Sequence, residues 1–215
     1  MKTSFVAIEL KAHAPFTAFG TVTGIVIMAV FIHFRIPGEI SSTLFWTMHP
    51  LHVLLSALVT TAMYRLHSGG GVWRTILIGY FGSVGIATLS DSLIPFAGEW
   101  LLDLPYRGIH LGFIEKWWLV NPLALAGIGL GFVISHTKIP HAGHVLLSTW
   151  ASLFHILMAL GTSLDVFTMI LIAVFLFLAV WIPCCTSDIV FPLLWIKKEN
   201  GDGKRPISVT DGGMT

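Results

Sequence analysis

The chain has 215 residues, 55% of them hydrophobic and only 11% charged, with a mean hydropathy of +0.84 and a formal net charge of +1. That composition excludes an ordinary soluble domain, and the absence of a basic patch with interleaved aromatics excludes nucleic acid as a partner. No phosphate-cradling glycine loop is present either, since Gly69-Gly70-Gly71 is a bare turn signal.

Apolar runs follow one another along the chain. They predict transmembrane helices near 15–34, 44–64, 73–95, 118–135, 143–162 and 166–186, each close to the about 20 residues that cross a bilayer. The first run is too long for a cleaved signal and lacks a small-residue cleavage site, so it reads as a retained helix. Lys and Arg set the orientation. Lys2, Lys11, Arg65, Arg74, Lys138, Lys197, Lys198, Lys204 and Arg205 fall on one face, and only Arg35, Arg107 and Lys116 on the other. This bias predicts six spans with both termini cytoplasmic, in the plasma (inner) membrane.

Motifs recur in the same order in both halves. His49-Pro50-Leu51-His52-Val53-Leu54-Leu55-Ser56 returns as His141-Ala142-Gly143-His144-Val145-Leu146-Leu147-Ser148. His33-Phe34-Arg35-Ile36-Pro37 is echoed by His136-Thr137-Lys138-Ile139-Pro140, and Ser90-Asp91 with Pro95 by Ser187-Asp188 with Pro192. Three ordered matches argue for internal duplication. Three helices per half reverse the second half, so the expected fold is an all-α polytopic membrane protein of two inverted three-helix repeats. The expected segments are a cytoplasmic N-terminus (1–14), the first repeat (15–96), an outer connecting loop (97–117), the second repeat (118–196) and a disordered cytoplasmic tail (197–215).

The duplicated residues are metal-ligand types. Histidines three apart share one helix face. With a carboxylate from another helix, His49, His52 and Asp91 would form one cluster at the outer face, and His141, His144 and Asp188 a second at the inner face. Ionisable groups inside hydrocarbon are costly and usually functional. Imidazole and carboxylate suit zinc, iron, nickel or cobalt, zinc or iron foremost, rather than magnesium or calcium.

Other residues are weaker candidates. His33 and His136 fit interfacial helix ends, with the following basic residue snorkelling and the proline stopping the helix. His155 reads as a hydrogen-bonded packing residue in preference to a midplane relay. His110 and Glu115 read as part of a solvated loop that could collect cations. Cys184 and Cys185 are either soft ligands or two small apolar residues at a helix end. As neighbours they would bridge only with strain, which points to a reduced pair. Intrahelical glycines such as Gly20, Gly79, Gly127 and Gly131 would permit close helix contact.

Three functions fit. The first is a transporter of a divalent transition-metal cation, its partners the ion and the bilayer, with a homo-oligomer compatible. The second, less favoured, is an intramembrane metal-dependent hydrolase or oxidase acting on a lipid-like substrate, with Glu39, Glu99 or Glu115 as acid or base. The zincin pattern His-Glu-x-x-His and the longer desaturase histidine boxes are absent. The third is a haem-binding, proton-linked or scaffold protein.

Overall fold

The computed structural model describes residues 3–67, 71–134, 138–160, 165–185 and 191. All regular structure among them is helical: α1 (Thr3–His33), α2 (Gly38–His67), α3 (Val72–Thr88), a π turn (Leu89–Leu93), α4 (Ile94–Leu101), α5 (Gly112–Glu115), α6 (Trp117–Val133), α7 (Lys138–Ala159) and α8 (Val166–Cys185). Five stretches are long and apolar enough to cross a membrane: Ala14–His33, Gly38–Leu66, Val72–Leu101, Ala142–Ala159 and Val166–Cys184. Helix α6 is apolar but shorter, at 17 residues.

Burial sorts these helices into a centre and a rim. About two thirds of the apolar window of α7 is buried (67%), against 22% for α1 and 28% for α8. The two rim helices expose large apolar side chains, among them Phe16, Phe19 and Val26 on α1 and Phe167, Ile170 and Val174 on α8. Apolar outside and polar inside is the arrangement a bilayer solvent favours. The centre is α2, which packs on α7, α6 and α3.

Small residues let the central helices approach. A methyl group added at Gly127 would strike the Leu54 carbonyl and Ala57, and one at Gly131 would strike the Leu58 carbonyl and Thr61. This Gly-x-x-x-Gly stripe seats α6 on α2. Gly79 meets Thr61 and Gly20 meets Thr149 in the same way, whereas Gly85 and Gly129 face open space.

Several boundaries differ from the sequence expectation. Residues 3–14 continue α1 instead of forming a separate segment, because Pro15 interrupts only one turn of the ladder. Helix α2 begins at Gly38, so His49 and His52 lie in its middle and not in its first turns. The third span runs on to Leu101. Asp91 therefore does not end a helix. It sits in a π turn, whose register shift takes up the missing N–H of Pro95. The segment expected as a loop from residue 97 is helical to Leu101 and buries Glu99. Helices α1 and α4 both end in a doubly hydrogen-bonded turn. Ile36 N–H reaches Phe31 O while Arg35 N–H reaches Ile32 O, and Leu104 N–H reaches Glu99 O while Asp103 N–H reaches Trp100 O. Arg35 and Asp103 take the left-handed conformation these turns require, each at φ 51°.

Candidate metal centre

Three central elements bring the repeated residues together. His49 and His52 share one face of α2, as the three-residue spacing dictates. The π turn aims Asp91 at both: its Oδ2 lies 2.9 Å from His49 Nδ1 and 2.7 Å from His52 Nδ1. From α7, Ser148 Oγ donates to Asp91 Oδ1 at 2.8 Å, and Ser90 Oγ donates to the same oxygen at 2.7 Å. Asp91 thus faces four donors. An ionised carboxylate only accepts, so each imidazole must carry its proton on Nδ1, leaving Nε2 as the nitrogen with a lone pair to offer. All of these side chains are buried.

The two histidines then diverge. His49 stacks on Phe45, with centroids 5.4 Å apart. Its Nε2 is buried without a hydrogen-bond partner among the described residues and lies close against Gly112. His52 instead stacks on His144 of α7, with centroids 5.6 Å apart and planes 14° apart. Cys184 of α8 closes the third side. One ligand atom each from His52, His144 and Cys184 lies within 4.8 Å of the others, and all three residues are buried. Metal-bound histidines commonly donate their second ring N–H to a carboxylate, and the His52–Asp91 contact has that form.

The geometry differs from the sequence reading in two respects. Asp91, expected as a ligand, accepts from protein donors at both oxygens. His144, expected in the inner cluster, instead meets His52 of the outer one, while Asp188 and the His141 side chain lie outside the described residues. The close crossing of α2 and α7 brings the two rings together. The same crossing brings in Ser148, a residue of the repeated motif that is not a metal-ligand type.

The remaining candidates separate cleanly. His33 ends α1, exposed, with its ring edge on Phe34 at 4.9 Å. Glu115 is on the surface and pairs with His110 Nδ1 at 3.2 Å. His155 faces Glu99 and Ser92. His136, Asp188 and the tail 197–215 lie outside the described residues, as do the side chains of His141 and Cys185. Glu99 is the residue the sequence misplaced; its only signal was an isolated carboxylate within an apolar run, Ile94 to Leu102.

A cavity of about 340 Å³ lies elsewhere, where α1 and α2 meet the loop at Pro105 and Tyr106. It touches none of the clustered histidines. No protein-family model, curated protein or solved structure matches this chain.

Proposed function

We propose that the protein is a membrane carrier for a divalent transition-metal cation, zinc first among them. The observation that carries this reading is the buried convergence of His52, His144 and Cys184 within 4.8 Å, with His52 held by Asp91. Two imidazoles and a thiolate form a borderline-soft donor set suited to zinc and unsuited to magnesium or calcium. Charge balances as well. A divalent cation, one thiolate and the Asp91 carboxylate sum to zero, which limits the cost of holding an ion away from water.

Two features support transport in particular. The donors come from three different helices, α2 before the repeat boundary and α7 and α8 after it. Exchanging the halves maps α1 onto α6, α2 onto α7 and α3 onto α8. The observed packings obey that exchange: α2 on α6 answers α7 on α1, α2 on α3 answers α7 on α8, and α1 on α8 answers α6 on α3. This supports an inverted repeat of six spans, with α6 as the shortest, while the Lys and Arg bias favours cytoplasmic termini. Alternating access would rock one half against the other about the shared site.

An intramembrane metalloenzyme is the second reading. Three protein donors leave a fourth zinc position for water, as catalytic centres do. Proteoliposomes separate the two. A carrier moves externally added zinc to a trapped fluorescent chelator, and the Cys184→Ser protein does not. Zinc bound tightly by the wild type with no movement across the vesicle would reject the carrier.

A further inference from the structure

A second carboxylate–histidine arrangement lies away from the metal ligands. Glu99 on α4 and His155 on α7 are each 1% exposed, and Glu99 Oε1 is 2.6 Å from His155 Nδ1. Gly108 N–H donates to the other Glu99 oxygen at 3.3 Å. His155 Nε2 lies 3.3 Å from Ser92 Oγ, and that oxygen also accepts from His110 N–H at 3.2 Å.

This network tolerates two protonation states. With Nδ1–H committed to Glu99, a neutral His155 accepts the Ser92 hydroxyl proton at Nε2. A protonated His155 donates from Nε2 to the Ser92 oxygen, whose hydroxyl rotates away. Either state leaves the imidazole fully hydrogen-bonded, so a proton can arrive and depart without orphaning the ring nitrogens. A buried charge that merely stabilised the fold would need only one of these states.

The pair also lies one ring away from a partly exposed ion pair. The His110 ring lies edge-on to His155, with centroids 5.3 Å apart. His110 and its partner Glu115 are 32% and 40% exposed. On the other side Phe45 intervenes, its ring 5.3 Å from His155 and 5.4 Å from His49. The ionisable groups facing the pair from neighbouring elements are His110 and Glu115 in the connection, His49 beyond Phe45 on α2, and Asp91 next to Ser92. Asp103 and Arg107 pair with each other at the surface of the connection. Neither α1 between Ala14 and Ile32 nor α8 before Cys184 carries an ionisable side chain.

We propose that Glu99 and His155 form a proton-binding site, distinct from the metal ligands and reached from the His110–Glu115 end of the bundle. The proton adds to His155 Nε2, Glu99 stays ionised to balance it, and release reverses the step. As the site of a counter-transported proton it rests on the carrier reading, while as a proton site it stands alone. Buried histidine–carboxylate groups mark proton relays in other membrane proteins.

Two measurements test it. In zinc-free protein in nanodiscs, infrared pH titration should show an imidazole signal that is lost in His155→Gln, displaced in Glu99→Gln and altered in Ser92→Ala. An imidazole signal identical in all of these proteins overturns the site. In vesicles given a zinc gradient, the wild type should change the internal pH as zinc moves. Glu99→Gln and His155→Gln should bind as much zinc as wild type but lose that pH change. A retained pH change in both variants overturns the coupling. If the wild type binds no zinc, the carrier reading fails and the infrared signal alone decides the proton site.

Discussion

Asp91 and Glu99 sit two turns apart on one continuous helix, and both hold imidazole Nδ1 atoms, yet their surroundings differ in one respect. Every neighbour of Asp91 is a donor: His49, His52, Ser90 and Ser148. The Glu99–His155 pair instead ends on Ser92, a hydroxyl able to donate or accept. Glu99 likewise accepts only from donors, His155 Nδ1 and Gly108 N–H, so the contrast lies beyond the ring, where His52 faces His144 and Cys184, an arrangement that suits preorganised ligands. A pair ending on a reversible hydroxyl suits exchange. The same two residue types are therefore proposed for a static role and a switching role, and the difference lies in the third partner.

The largest effects should come from breaking the static cluster. Replacing His52 or His144 by Ala, or Cys184 by Ser, should abolish stoichiometric zinc binding, read as metal content after purification without chelator or affinity histidines. Asp91→Asn should weaken zinc about 10- to 100-fold without abolishing it, as loss of a ligand-orienting group does. Titration calorimetry distinguishes this partial loss from that of a ligand, and a complete loss in Asp91→Asn would return Asp91 to the ligand set. His110→Ala, by contrast, should leave zinc affinity unchanged and alter only proton exchange.

The pH dependence should divide the two regions again. Zinc affinity should fall steadily as pH is lowered, because His52, His144 and Cys184 must bind the ion deprotonated. That slope should persist in His155→Gln, since the second pair contributes no ligand. A flattened slope in His155→Gln would merge the two sites.

Smaller effects test the scaffold that sets the crossing. Gly131→Leu should overpack the α2–α6 contact and cost about 1–3 kcal/mol in stability, whereas Gly129→Leu, facing open space, should cost little. Thermal unfolding in detergent compares them. The smallest effect concerns Asp165, which caps α8 by accepting from Thr168 N–H at 2.6 Å. That bond lowers its pKa. Its contribution to stability is present above the unfolded carboxylate pKa and is lost as pH falls through the lower folded value. Asp165→Asn should remove this acid-limb dependence and little else.

Much of this arrangement was legible in the residues, and the rest was not, for physical reasons. Periodicity and length placed the apolar helices, and the three-residue spacing placed His49 and His52 on one face. The duplicated motif also pointed to Asp91 and His144. What a linear pattern does not carry is how closely α2 and α7 cross. That crossing sets His144 beside His52 and turns Ser148 toward Asp91. Cys184 read equally as a soft ligand or a small apolar residue, and its approach to Val145, His52 and His144 is what brings it into the cluster. Glu99 was misread because Pro95 looked like a helix stop. The π turn lets the helix pass through it and carries Glu99 into the interior.

The most direct test of the metal centre is X-ray absorption spectroscopy of the zinc-loaded protein. The account predicts one sulfur at about 2.3 Å and two imidazole nitrogens at about 2.0–2.1 Å, with the sulfur shell lost in Cys184→Ser. A shell of oxygen and nitrogen alone in the wild-type protein would contradict it.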